Sequence, residues 1–119
     1  MAQIQANVTF TNNTGSTLTF VKKSCEHGVF LGTPPLRIAN GETGRWECGS
    51  DGIMTGTEGR IEYVDDSKRT FHLHWDNPFV GSTKASCYLS PDDGTLTLDS
   101  HAGASSSGQA RFTFMAARK

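Results

Sequence analysis

Gly56-Thr57-Glu58-Gly59, a run through Arg60–Val64, a turn at Asp65-Asp66, a second run Arg69–Trp75, then Asp76-Asn77-Pro78-Phe79-Val80-Gly81-Ser82: this stretch decides the fold. Side chains alternate with period two along a strand, so Phe71, Leu73 and Trp75 fall on one face and Thr70, His72, His74 and Asp76 on the other. The pattern reads as one half-buried hairpin with two decorated ends, both polar or glycine-rich.

Upstream, Gln3–Phe10 sets Ile4, Ala6, Val8 and Phe10 against Gln3, Gln5, Asn7 and Thr9, a strand with one wet side. Asn12-Asn13-Thr14-Gly15 is turn chemistry and Thr17–Lys23 resumes a strand, so the two are expected to pair as a first hairpin. Glycines and Pro34-Pro35 loosen Ser24–Asn40, where only Val29–Leu31 and Leu36–Ile38 suit short strands. Gly44–Cys48 follows the Asn40-Gly41 turn and carries Trp46. Downstream, Lys84–Leu89, Thr95–Asp99 and Gln109–Met115 alternate, separated by Ser90-Pro91-Asp92-Asp93-Gly94 and by a small polar loop over His101–Gly108. No ten residues carry an apolar stripe of helical period, and turn signals recur every 8–12 residues or so, which points to an all-β antiparallel sandwich.

A chain of 119 residues suits one domain, and such a domain buries roughly 65% of its unfolded surface without staples. Eleven Lys+Arg against twelve Asp+Glu give a net charge of −1. That leaves no broad positive field for nucleic acid or for anionic membranes in general, so a membrane target must be read through a particular lipid, glycan or receptor. Met1-Ala2-Gln3-Ile4-Gln5 lacks the pattern of a secretory signal, and no run is apolar enough to span a bilayer. Synthesis without a signal peptide is expected. Cys25, Cys48 and Cys87 are spaced like neither a secreted framework nor a metal site, and are expected as separate buried thiols, with at most one internal disulfide. The two sequons, at Asn7 and Asn12, are expected to be unused.

His72, His74 and Asp76 project the same way and could form a metal face, but alternate polar residues on an outer strand face are the commoner arrangement. Cys25-Glu26-His27 lacks a partner at zinc-finger spacing. Asp65-Asp66 and Asp92-Asp93 sit where turns prefer aspartate. No nucleophile elbow, phosphate loop or dinucleotide fingerprint occurs, so neither enzyme activity nor a cofactor is expected. Trp75-Asp76-Asn77-Pro78-Phe79 stands out. Aromatics, a proline and a carboxylate at a strand end form an amphipathic edge suited to a lipid headgroup boundary or a sugar, and a carboxylate beside an aromatic suits an ammonium group. Two readings of Trp75 stay open, core residue and edge residue.

Three stretches carry a family resemblance. Asn12-Asn13-Thr14-Gly15-Ser16-Thr17-Leu18, Met54-Thr55-Gly56-Thr57-Glu58-Gly59 and Asp76-Asn77-Pro78-Phe79-Val80-Gly81-Ser82 resemble the aegerolysins, above all the small component of bacterial two-component insecticidal crystal toxins. The resemblance implies a β-sandwich related to the sea-anemone cytolysin fold. It also implies a non-enzymatic protein that binds sphingolipid-containing membranes or gut-surface receptors and makes pores only with a larger partner protein. Carried over by position, Gly56, Thr57, Glu58 and Gly59 are structural, while Trp75, Asp76, Pro78, Phe79, Gly81 and Ser82 are recognition candidates, with Trp46 counted beside them. The chain departs from the family pattern around Cys25–Pro35 and in Ala104–Gly108. On this reading the protein is cytoplasmic or inclusion-stored where it is made and acts extracellularly at a target-cell membrane. The competing expectation is a carbohydrate-binding, lectin-like module. Exposed edge strands leave homo-oligomerisation open.

Overall fold

The structure, a computed structural model, describes residues 5–52, 56–78, 81–102 and 109–116. Ten strands make up its regular structure: β1 (Gln5–Asn13), β2 (Leu18–His27), β3 (Val29–Phe30), β4 (Arg37–Ile38), β5 (Thr43–Gly49), β6 (Thr57–Val64), β7 (Thr70–Asn77), β8 (Lys84–Ser90), β9 (Leu96–Ala102) and β10 (Gln109–Ala116). They form two five-stranded sheets, ordered β3-β5-β1-β10-β9 and β4-β2-β6-β7-β8. All ladders are antiparallel except β1 with β10, which is parallel. The sandwich read from the sequence is therefore present, with one parallel pair inside it.

Period-two alternation decides which residues enter the core. Ala6, Val8 and Phe10 of β1, Trp46 and Cys48 of β5, Ile61 and Tyr63 of β6, and Phe71, Leu73 and Trp75 of β7 are all buried. The aromatics interlock: Trp46 stacks on Tyr63 at 6.2 Å, Trp75 meets Trp46 at 5.9 Å, and Phe10 meets Tyr63 edge-on at 5.6 Å. Each fully buried large side chain contributes roughly 1.5–3 kcal/mol, so this cluster dominates the driving force. The Tyr63 hydroxyl is kept from being a buried orphan by donating to Pro35 O at 2.6 Å.

One sequence expectation fails. β1 and β2 do not pair, because they belong to different sheets, and Asn12–Ser16 is an arch between the layers. The reason is visible at Asn12, which is fully buried and donates from Nδ2 to Ser16 O at 2.7 Å and to Ile38 O at 2.9 Å. Its Oδ1 accepts from Thr14 N and Thr14 Oγ1 at 3.0 and 2.7 Å. That amide holds the arch closed, and Gly15, at φ 93°, supplies the left-handed residue the bend requires. β2 departs from strict alternation too: its register with β6 shifts between Phe20 and Lys22, so exposed Val21 is an extra residue and Lys23 comes into register with Ile61. Lys23 caps the open side, its ammonium 5.9 Å from the Phe20 ring centre and 5.3 Å from that of Phe30.

Candidate functional site

The turns gather at the two ends of the sandwich, and the residues singled out in the sequence lie at one of them. There Thr57 is fully buried and its Oγ1 donates to His27 O at 3.2 Å, fastening the β2–β3 turn. Gly28, at φ 93°, presses against Gly49 and Thr57, where a side chain would collide. Gly59 serves a different end: a Cβ there would lie 2.7 Å from Trp75 Cζ2, so the glycine makes room for the indole to lie against β6. Three of the four motif residues thus have definite contacts, because Glu58 Oε2 meets His74 Nε2 at 2.6 Å. Asn77 closes the floor, donating to Gln5 O at 2.6 Å and accepting from Thr83 Oγ1 at 3.0 Å. Above that floor stand Asp76 and Pro78, both half-buried, and Gly81 and Ser82, both exposed.

The outer face of the β2-β6-β7-β8 sheet continues from Asp76 as a grid fixed by strand register. Glu58, Asp76 and Lys84 form one cross-strand row; Arg60, His74 and Ser86 form the next; Glu62, His72 and Tyr88 form a third. Arg60 Nε donates to Glu26 at 2.6 Å, and His72 Nδ1 lies 3.5 Å from Glu62 Oε2. The Glu26 contact raises the Arg60 pKa above its ordinary value. Tyr88 stacks on His72 with ring centres 4.1 Å apart and planes 6° from parallel, yet stays 59% exposed. A cavity of about 150 Å³ opens between Arg60, Glu62, His72, His74, Ser86 and Tyr88. Among the described residues nothing engages the Asp76 carboxylate, whereas both histidines meet carboxylates, so the imagined His72/His74/Asp76 metal face is already committed to cross-strand pairing. No group of three or more potential metal-binding side chains converges among the described residues.

The two tryptophans are not part of this surface. Trp75 is 0% and Trp46 5% exposed, both within the aromatic core. This settles the two readings of Trp75 in favour of core, and it removes Trp46 from the exposed edge. Phe79 lies outside the described residues. Sequence reasoning missed Tyr88, and it missed Val29, exposed just after the turn fastened to Thr57, and Leu31, exposed further along β5 beside Glu47. A two-residue strand such as β3 is too short for alternation to reveal which side chains face outward. Two larger hollows, of about 590 and 470 Å³, lie away from Asp76 along the β4–β5 side and share Thr33 and Arg45.

The family model described as Aegerolysin matches residues 36–110. The chain belongs to the aegerolysin family. No curated protein sequence matches this aegerolysin. Solved structures do. It is similar to the lipid-binding protein Nakanori, with TM-score 0.75 and 16% identity over 99% of this chain and 73% of that one. It is similar to IP-1A from Alcaligenes faecalis, with TM-score 0.73 and 18% identity over 94% of this chain and 90% of that one. RahU, crystallised with a TRIS molecule, gives TM-score 0.73 and 13% identity over 97% and 96% of the two chains. At these identities the likeness speaks to fold alone, and it agrees with the sandwich described above.

Proposed function

We propose that this aegerolysin is a non-enzymatic membrane-binding protein whose Asp76 end reads a sphingolipid headgroup or a gut-surface receptor. The observation that carries the reading is the Asp76 carboxylate, free among the described residues and set in a row with Glu58 and Lys84 above a hydrogen-bonded floor. An uncommitted carboxylate of this kind offers a charge-assisted hydrogen bond to a lipid ammonium group. Exposed Val29, which follows the β2–β3 turn fastened to Thr57 at this end, supplies apolar contact at a headgroup boundary. Membership in the family and the similarity to the lipid-binding protein Nakanori support the same assignment. On this reading Asp76, Pro78, Gly81 and Ser82 make up the recognition edge.

The finer reading is a two-component, insecticidal cytolysin. On that reading this chain docks and a larger partner protein supplies the pore; no helix among the described residues is long and apolar enough to cross a membrane. The protein acts outside the producing cell, at the target membrane.

Co-sedimentation with vesicles of matched charge, with and without sphingolipid, tests the first step. Sphingolipid-dependent binding is expected, and absence of binding to every vesicle would redirect the search to a protein receptor or to glycans. Dye release by this protein alone would overturn the division of labour. The lectin-like alternative has its own observation, a TM-score of 0.58 to the Xerocomus chrysenteron lectin XCL over 95% of this chain, and a glycan array separates it from the lipid reading.

A further inference from the structure

Cys25 and Cys48 are far apart in sequence and lie in different sheets, β2 and β5. They nevertheless meet in the core. Cys25 pairs in register with Gly59, so no cross-strand side chain stands between it and the space that Trp75 and Cys48 occupy. Cys48 pairs with Phe30, is fully buried, and places its sulfur beside the Trp75 indole. The two thiols are near enough for each to bear on the other's ionisation, and Cys25 packs against the core cluster that contains Cys48. Three residues beyond Cys25, Gly28 packs directly on Gly49, the neighbour of Cys48, so the two strands are in contact at this level by backbone as well as by sulfur. Cys87 is elsewhere, half-buried on β8.

We propose that Cys25 and Cys48 are a redox pair, reduced here, that closes into a disulfide stapling one sheet to the other beneath the Asp76 end. The oxidant is a low-molecular-weight disulfide such as oxidised glutathione. The half-buried Cys25, as its thiolate, attacks one glutathione sulfur; the first mixed disulfide forms and one glutathione leaves as a thiol. Cys48 loses its proton and attacks the Cys25 sulfur, forming the Cys25–Cys48 bond and releasing the second glutathione. Two protein thiols are oxidised and one glutathione disulfide is reduced to two thiols, so electrons and protons balance. Closure draws the sulfurs to about 2.05 Å. β2 can yield to this pull, because its register with β6 is already irregular between Cys25 and His27.

Burial sets the rate. It raises the Cys25 thiol and pushes Cys48 up to about 12, so thiolate is scarce at neutral pH and exchange accelerates as pH rises. The staple therefore forms slowly near neutrality and readily in alkaline, oxidising surroundings.

The test treats the reduced protein with oxidised glutathione at about pH 7 and about pH 9.5, followed by alkylation and peptide mass mapping. The expected product is a Cys25–Cys48 linked peptide with Cys87 alkylated, formed roughly tenfold or more faster at the higher pH. Quenching of tryptophan emission, reversed by dithiothreitol, is expected in parallel. Cys87→Ser should leave the reaction intact and Cys25→Ser should abolish it; Cys25 is only half-buried, so that variant keeps the test readable even where Cys48→Ser fails to fold. Glutathione retained on Cys25 with no linked peptide at either pH, or links that run only through Cys87, would overturn the proposal.

Discussion

The two ends of the sandwich use aspartate in opposite ways. At the end built from Asn12–Ser16, Ala39–Glu42, Asp65–Arg69 and Asp92–Thr95, the polar side chains turn back on the chain. Asp65, 4% exposed, accepts from Ser67 N at 3.0 Å, Arg69 N at 2.9 Å and Arg69 Nε at 2.8 Å. Arg69 continues to Thr95 Oγ1 at 2.7 Å, and Asp93 accepts from Thr95 N and Thr95 Oγ1 at 3.1 and 2.6 Å. Those Thr95 bonds, foremost the hydroxyl's, hold the Asp93 carboxyl below its ordinary value. At the other end Asn77 and Thr57 tie down the floor, but Asp76 above it is left open among the described residues. Residues of one chemical type thus close one end of the fold and equip the other for a ligand. The difference lies in local backbone geometry rather than composition.

Perturbing each end should separate these roles. The largest loss is expected from Asn12→Ala, which leaves Ser16 O, Ile38 O and Thr14 N without their partner; about 3 kcal/mol should disappear in urea unfolding, with no specific change in vesicle binding per folded molecule. Alkaline titration comes next. Cys48 rises from 9.0 to about 12 on burial, so the folded state holds its proton where the unfolded chain releases it. Stability should be level below about pH 9 and decline steadily as pH climbs toward 12, with buried Tyr63, Cys25 and Cys87 adding to the fall, and the decline should be shallower in Cys48→Ala. Gly59→Ala should cost about 1.5 kcal/mol by forcing Trp75 aside, measurable as a lowered urea midpoint and a shifted tryptophan emission. Asp76→Ala should change unfolding stability by less than about 0.5 kcal/mol.

The sequence made some of this plain and hid the rest for identifiable reasons. The β6–β7 hairpin was legible because Phe71, Leu73 and Trp75 alternate without a break, and the aspartate turns were legible because Asp65, Asp92 and Asp93 bond their own backbone. The Asn12–Ser16 arch was misread as a hairpin because the same residues favour both, and only the burial of Asn12 distinguishes them. The parallel β1–β10 pair joins strands from opposite ends of the chain, and no local pattern reports it. Alternation already placed Trp75 with Phe71 and Leu73, yet its neighbours Asp76 and Pro78 also suited an exposed edge. Tyr88 was hidden in a strand whose exposure depends on being at the sheet margin, and the meeting of Cys25 with Cys48 depends on how two sheets are stacked.

The most direct test of the division between the ends compares two single-carboxylate deletions, Asp76→Ala and Asp93→Ala, in one vesicle titration with sphingolipid present. Both variants change net charge equally, so a difference between them reports position. The account predicts about a tenfold loss of affinity for Asp76→Ala, the scale of one charged hydrogen bond, and wild-type binding for Asp93→Ala. Equal losses in the two variants, or a loss confined to Asp93→Ala, would contradict it.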